Sequence, residues 1–166
     1  MRRFTLILEF AIDLDEHWRL FLDDDVERRM YLERLHFPKY ELLERRETDA
    51  ELVRKIRVVP KLDVPAAVAK LLGDSFSYSE AQTFDKKSRV YRARITPSAL
   101  ADRLSSEATV RADATGPGKC RRTVDISVEA RFFGIGGLVE GALEKNLRNG
   151  WVDSAAYLAG EAQRPR

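Results

Sequence analysis

The stretch that most constrains the fold of this chain is its C-terminal one, residues 132–158, which reads FFGIGGLVEGALEKNLRNGWVDSAAYL. Glycines open it, and apolar or small residues then recur every three or four positions, which is the spacing of one helical face. The residues on that face are Val139, Leu143, Leu147, Trp151, Ser154 and Leu158. The pattern predicts one long helix. Gly141 and Gly150 inside it each cost roughly 1 kcal/mol relative to alanine, so we expect them to admit a close neighbour, a bend or a ligand.

The length of the chain limits the number of domains, and its charge argues against a nucleic-acid-binding protein. At 166 residues it has the size of one ordinary domain, and we expect a single domain over residues 1–166. With 29 basic and 27 acidic side chains, the net charge of +2 gives no strong field for nucleic acid. Arginine pairs such as Arg28-Arg29 and Arg121-Arg122 have acids near them, so we interpret them as solvated surface.

The N-terminus and the cysteine content indicate a cytoplasmic protein. Two arginines precede a short apolar run, but Glu9 and Asp13 interrupt that run and no small-residue cleavage site follows. No segment approaches the ~20 apolar residues of a membrane span. A single cysteine, Cys120, leaves no partner for an intramolecular disulfide and is compatible with a reducing compartment.

The first part of the chain predicts a strand followed by two short helices. In residues 3–13, apolar side chains alternate at period two, which is typical of a half-buried strand. Asp13 or Asp15 can then cap a first helix, and the acidic run 23–25 can start a second one. Together the two helices span about 22 residues by the usual start and stop signals.

The middle of the chain predicts three β-hairpins, with a short helix, PAAVAKLLG, between the first and second. Each hairpin has turn residues between two runs of alternating character. The paired runs are 39–48 with 51–61, 75–85 with 89–97, and 104–114 with 119–132. Residues 98–106 fit either a helical turn or a loop. An antiparallel sheet that is apolar on one face must have that face covered, and the C-terminal helix is the only predicted element long enough to do so.

This order of elements resembles the START-like superfamily, also called the helix-grip, birch-pollen-allergen-like or SRPBCC fold. The short helix PAAVAKLLG and the glycine-rich turn 133–137 before the last helix are similar to a bacterial branch of unknown function, and the resemblance covers about Arg3 to Leu158. It implies an α+β fold in which a curved antiparallel sheet of about seven strands wraps around the C-terminal helix and an apolar cavity. Members bind lipids, sterols, polyketides, plant hormones or quinones, and some are cyclases or other enzymes. The fold alone does not choose among these functions.

Signatures of catalysis and metal binding are thin. His17 and His36 lack metal-ligand spacing, and we interpret both as partly exposed helix histidines. Cys120 adjoins Arg121 and Arg122, which would lower the pKa of an exposed thiol, but without a histidine nearby a buried strand cysteine is the simpler interpretation. The glycine-rich turn lacks phosphate-loop spacing. We therefore expect no metal, no cofactor and no catalytic residue.

Two charged residues share strand faces with apolar ones. Glu80 shares a strand face with Phe76, Tyr78 and Phe84, and Arg54 shares a face with Leu52 and Ile56 on another strand. If both faces line a cavity, each charge needs a partner or a ligand head group, and Glu80 and Arg54 could pair with each other. The alternative is that a bulge or an open sheet edge exposes both residues.

The leading hypothesis is a protein that binds or transports a hydrophobic small molecule, lipid or isoprenoid-like, between the sheet and the C-terminal helix. The predicted ligand-binding residues are Arg54, Phe76, Tyr78, Glu80, Leu143, Leu147 and Trp151. One alternative is a cyclase or dehydratase that uses Glu80, Tyr78 or Tyr91 as acid or base. Another is a module with a filled interior, in which the helix stripe is only core, that docks a protein or a membrane through its Arg28-Arg29 helix. Transient membrane contact and the oligomeric state stay open.

Overall fold

In a computed structural model that describes residues 1–165, the chain forms seven strands, four α-helices and one π-helical segment. The strands are β1 (Arg2–Phe10), β2 (Lys39–Glu47), β3 (Glu51–Val59), β4 (Tyr78–Asp85), β5 (Val90–Pro97), β6 (Leu104–Gly116) and β7 (Lys119–Ala130). The helices are α1 (Leu14–Phe21), α2 (Asp24–Arg29), the π-helical segment (Met30–Arg34), α3 (Ala66–Leu72) and α4 (Gly136–Ala162).

All seven strands belong to one curved antiparallel sheet, in the order β1-β7-β6-β5-β4-β3-β2. The two edge strands, β1 and β2, follow each other in the chain, so α1, α2 and the π-helical segment connect opposite edges of the sheet. α4 contacts β7, β1, α1 and the π-helical segment. The predicted α+β helix-grip fold, with the sheet wrapped around the last helix, is confirmed.

The inner face of the sheet carries the apolar positions that the alternation predicts. On β7, Val124, Ile126 and Val128 are buried and their neighbours in the chain face outwards or lie at the boundary. The same alternation continues back to Cys120 and Arg122, which are both 0% exposed. The interpretation of Arg122 as part of a solvated arginine pair is therefore wrong, because its place on the strand turns it inwards.

Several element boundaries differ from the predicted ones. The strand expected from residue 75 begins at Tyr78, which leaves Phe76 in the preceding coil, half-buried against the cluster around α3. The second predicted helix changes to π-helical winding at Met30, and Leu35 closes that segment through a hydrogen bond from its N–H to Met30 O. Residues 98–103 form a turn, with Leu100 at φ 67°, rather than a helix.

The start of α4 is fixed against the end of β7. The Glu140 carboxylate accepts a hydrogen bond from the backbone N–H of Ala130 at 3.0 Å and lies 3.1 Å from the N-terminal ammonium of Met1. Gly136 packs so closely that an added Cβ would lie 2.6 Å from the carbonyl oxygen of Ala130. A side chain at this position cannot fit without moving backbone, so glycine sets how near the helix approaches the sheet.

We expect Gly136→Ala to destabilise the fold by about 1–3 kcal/mol, the usual cost of forcing an extra methyl group into a packed site. The matched control is Gly137→Ala, since an added Cβ at Gly137 meets nothing within 4 Å. That variant should gain stability from alanine's better helix propensity. Urea unfolding of the two variants measures both effects, and equal free energies of unfolding would show that the contact with Ala130 does not constrain α4.

Candidate functional site

A cavity of about 330 Å³ lies between the inner face of the sheet, the π-helical segment and α4. Its wall is mostly apolar. The Phe, Tyr and Trp side chains that line it are Phe21, Tyr31, Phe37, Phe76, Tyr78, Tyr91, Trp151 and Tyr157. Exposed residues on the wall, among them His36, Lys61 and Asn149, show that the cavity reaches the surface beside α4.

Six of the seven residues predicted to bind a ligand lie on this wall: Phe76, Tyr78, Glu80, Leu143, Leu147 and Trp151. Leu143, Leu147 and Trp151 are partly buried, since they pack against the main apolar cluster and also line the cavity. Gly150 also lies on the wall, and an added Cβ there meets nothing within 4 Å. Gly141 differs, since an added Cβ there would lie 3.3 Å from the guanidinium group of Arg2.

The seventh residue, Arg54, is not part of the cavity wall, and its guanidinium group donates hydrogen bonds to groups of the fold itself. It is 1% exposed, and its Nη1 donates to Asp24 Oδ1 at 2.9 Å and to the Leu22 carbonyl oxygen at 3.0 Å. Its Nε donates to Gln82 Oε1 at 2.9 Å. The direct pair with Glu80 is not formed, because Gln82 occupies the position between the two residues in the sheet register.

Glu80 is the carboxylate that faces the cavity. It is 7% exposed, and its Oε1 accepts a hydrogen bond from Gln82 Nε2 at 2.9 Å. The hydroxyls of Tyr31 and Tyr91 each lie 3.4 Å from one of its two oxygens. The alternative in which a bulge or open edge exposes Glu80 and Arg54 is therefore wrong. Tyr31 belongs to the π-helical segment, so this segment places the Tyr31 hydroxyl group, a hydrogen-bond donor, beside Glu80 on the sheet.

Burial changes the ionisation of this group of residues. It raises the pKa of Glu80 to about 7, and the negative charge of nearby Glu27 acts in the same direction. Burial, followed by the charge of Glu80, also raises the pKa values of Tyr31, Tyr78 and Tyr91 well above the usual value for tyrosine. Near neutral pH, Glu80 can therefore exchange a proton, whereas the three phenols remain neutral and can donate hydrogen bonds.

A second polar group lines the cavity three strands away from Glu80, at Arg122 on β7. The Nε of Arg122 donates to His17 Nε2 at 3.0 Å, and its guanidinium carbon lies 4.7 Å from the ring centres of both Phe10 and Phe21. Because arginine can only donate, Nε2 of His17 carries no proton. We call this pair, His17 and Arg122, the arginine pole.

Burial acts on both members of the arginine pole. It lowers the pKa of Arg122 to about 9, which still leaves the guanidinium charged at neutral pH. Burial first, and the positive charge of Arg122 second, lower the pKa of His17 to about 3. The interpretation of His17 as a partly exposed helix histidine is wrong, since it is 0% exposed. Cys120 is buried as expected, and burial raises the pKa of its thiol.

Pattern reasoning missed the arginine pole, although one signal was available. Extending the alternation of β7 back from Val124 places Arg122 on the inner face. No comparable signal in the sequence brings His17 to it. The Arg28-Arg29 pair, considered as a docking surface, is engaged within the molecule, since both residues form ion pairs with Asp25 and Arg29 also with Glu161.

Among residues 1–165, no group of three or more histidine, cysteine, aspartate or glutamate side chains has an arrangement that could hold a metal ion. None of the helices within that range combines the length and the apolar character needed to span a bilayer.

Comparison with known proteins identifies a family and a fold. The sequence profile of a family described as "Protein of unknown function (DUF2505)" matches residues 5–160. Comparison with curated proteins returns no match.

Solved structures similar over almost the whole chain include three helix-grip proteins. The Zhui aromatase/cyclase from a Streptomyces species has 20% identity and a TM-score of 0.67, with 98% of this chain and 94% of that chain covered. Norcoclaurine synthase from Thalictrum flavum, in complex with dopamine and hydroxybenzaldehyde, has 15% identity and a TM-score of 0.67, with 99% and 89% covered. A START superfamily protein from Mycobacterium smegmatis has 15% identity and a TM-score of 0.62, with 96% and 95% covered. These likenesses confirm the START-like resemblance at the level of the fold.

The lowered pKa of His17 predicts a loss of stability in acid. Between pH 6.5 and about 3, the unfolded chain binds a proton at His17 that the folded chain does not, so stability falls as pH decreases through this window. His17→Gln keeps an acceptor for Arg122 and removes this titration, so the variant should lose up to about 2 kcal/mol less than wild type between pH 7 and pH 5.

Urea unfolding at the two pH values measures this difference. Glu80 acts in the opposite direction over the same range, because its raised pKa makes stability fall as pH rises from 4.5 to about 7. The contribution of His17 to the pH dependence of the free energy of unfolding is therefore the difference between wild type and His17→Gln. The control His36→Asn changes the other histidine, which is exposed, and should keep the wild-type slope. An unchanged slope in His17→Gln would contradict the prediction.

Proposed function

Because the chain belongs to the DUF2505 family, whose description assigns no activity, we propose its function from the cavity: it binds or transports a hydrophobic small molecule, of lipid or isoprenoid-like character, between the sheet and α4. The single observation that carries the proposal is a largely apolar cavity of about 330 Å³ that reaches the surface. Its size is within the range of small-molecule pockets. A module with a filled interior would not leave this space.

Desolvation provides the binding free energy in this proposal. Apolar ligand surface that leaves water for the cavity contributes about 25 cal/mol per Å². The body of the ligand lies against Leu143, Leu147 and Trp151 of α4, with Phe76 and Tyr78 opposite them. Arg54 contributes indirectly, since it holds Gln82 against Glu80. Helix-grip neighbours support a ligand-binding fold, among them the synthase solved with dopamine and hydroxybenzaldehyde.

Filling the cavity from α4 tests the proposal. Gly150 lies seven residues after Leu143 and three after Leu147, on the same helical face, so Gly150→Leu projects a side chain into the open space. We expect this variant to fold with at least wild-type stability, because leucine forms helices better than glycine. It should lose about tenfold or more in affinity for the neutral probe N-phenyl-1-naphthylamine, measured by fluorescence titration.

The matched control is Gly160→Leu. Gly160 also lies in α4 with open space around it, but it is exposed and is not part of the cavity wall. This variant should gain helix stability and keep wild-type affinity. Native mass spectrometry of wild-type protein from its own host should show a retained apolar molecule that Gly150→Leu lacks. Equal probe affinity and equal ligand content in both variants would overturn the proposal.

A second candidate function, acid–base catalysis of the dehydratase or cyclase kind, is favoured by Glu80. A carboxyl group with a pKa of about 7 is suited to proton transfer at neutral pH. In a dehydration, the Glu80 carboxylate takes a proton from carbon, a carbon–carbon double bond forms, and the hydroxyl group leaves as water after receiving that proton. Tyr91, 3.4 Å from Glu80, is neutral and acts only as a donor.

A β-hydroxyketone tests this candidate directly. We expect wild-type protein to accelerate the elimination of water from 4-hydroxy-4-phenylbutan-2-one, followed by the absorbance of the conjugated product, with a rate that rises as pH increases through about 7. Glu80→Gln should lower the rate by about 10²-fold or more and retain N-phenyl-1-naphthylamine binding. No acceleration by wild type, or equal rates in the variant, would eliminate Glu80 as the catalytic group and leave the binding function.

A further inference from the structure

We propose that the ligand of this cavity is an apolar monocarboxylate, and that its carboxylate accepts hydrogen bonds from the free edge of the Arg122 guanidinium group. This inference rests on the proposed binding function and specifies the chemistry of the ligand head group. The arginine pole, His17 and Arg122, is then the head-group site, and α4 contacts the apolar body.

The first observation is an incomplete set of contacts at Arg122. Its side chain is 0% exposed and lines the cavity. Within residues 1–165, neither Nη1 nor Nη2 has a hydrogen-bond partner, and no carboxylate lies within ion-pair distance of the group. A buried charge without a carboxylate or other anionic partner is strongly unfavourable. The two unbonded nitrogens of Arg122 therefore indicate that a ligand supplies the missing partner.

The second observation is the contrast with Arg54, the other fully buried arginine. The fold gives Arg54 a carboxylate at 2.9 Å, a second at 3.6 Å, a backbone carbonyl group and a side-chain amide. The same chain therefore satisfies a buried guanidinium group completely where the role is structural. Among the described residues, the partners of the Arg122 guanidinium group are the imidazole of His17 and the faces of aromatic rings.

The third observation is that the guanidinium group is held in place. Its Nε is fixed by His17, and its carbon lies 4.7 Å from the ring centres of Phe10 and Phe21 and 5.8 Å from that of Trp151. These contacts use Nε and the ring faces, which leaves Nη1 and Nη2 as the donors available to a ligand. Two donors in a planar fork match the two oxygens of a carboxylate.

The charge balance favours a monoanion over a phosphate. Arg122 is the only basic residue on the cavity wall that is fully buried in the described structure, and Glu27 and Glu80 lie on the same wall. A single negative charge is neutralised by the guanidinium group. A phosphate dianion would place a second negative charge in an apolar site without a matching cation.

A pair of ligands that differ only in the head group tests the inference. We expect wild-type protein at pH 7.5 to bind dodecanoate at least about tenfold more tightly than dodecanol, as a bidentate charged hydrogen bond implies. Displacement of N-phenyl-1-naphthylamine measures both affinities. Arg122→Met should abolish this preference while changing dodecanol affinity by less than about threefold. Arg122→Lys, which keeps the charge and loses the fork, should show an intermediate preference.

The matched control is Arg148→Met. Arg148 also lies over an aromatic ring, 4.4 Å from the centre of Phe4, but it is partly exposed, paired with Glu144 and outside the cavity wall. This variant should keep the acid preference. Arg122→Met should fold with at least wild-type thermal stability, because it removes a buried charge that no described carboxylate neutralises.

The outcomes separate the two proposals. If wild type binds dodecanol and the naphthylamine but shows no preference for dodecanoate, or if Arg122→Met keeps the preference, the head-group inference is overturned and the binding function stands. If wild type binds none of the three molecules, the binding function fails and the inference fails with it. If Arg122→Met does not fold, the wild-type ratio and Arg122→Lys decide the outcome.

Discussion

The structure depends on one constraint, which is that a single helix must cover the apolar face of a seven-stranded antiparallel sheet. α4, with 27 residues, is long enough to cross that face, but a helix with its side chains is only about 10–12 Å wide. The sheet is wider than its cover, and α4 packs against β7 and β1 at one side of it. Rings from α1 fill part of the difference, with Trp18 packing 4.9 Å from Phe84. The cavity is the part that none of the described elements fills.

The buried polar groups between the sheet and the helices are of two kinds, those paired within the fold and those that face the cavity. Arg54, Gln82 and Glu27 form a network in which each charge has a close partner, and this network connects α2 to β3 and β4. Glu80 stands at its edge and faces the cavity, where burial opposes its ionised form. Arg122 keeps its charge with no carboxylate of residues 1–165 within ion-pair distance. A fully paired network such as that of Arg54 stabilises a unique fold. Buried groups that face the cavity, such as Glu80 and Arg122, reduce stability unless a ligand binds to them.

The features that reduce stability coincide with the cavity wall. Gly150 weakens α4, Glu80 resists ionisation, and Nη1 and Nη2 of Arg122 have no hydrogen-bond partner among residues 1–165. A sequence selected only for stability would fill or neutralise these positions, because each has a simple stabilising substitution. Local departures from the rules of stable folding cluster at functional sites. The helix-grip fold hosts both binding proteins and enzymes, so these residues, and not the fold, carry the argument for function.

By itself, the sequence determined the order of elements, the antiparallel hairpins, the covering helix and therefore the fold class. It also placed Glu80, Leu143, Leu147 and Trp151 on faces that meet the cavity, because the periods of strands and helices specify the face on which a side chain lies. Only the tertiary structure decided which residues are partners. Gln82 separates Arg54 from Glu80, and His17 meets Arg122 across 105 positions of sequence. A local pattern sets the direction of a side chain, whereas its partner and its access to solvent depend on register and on elements far away in the chain.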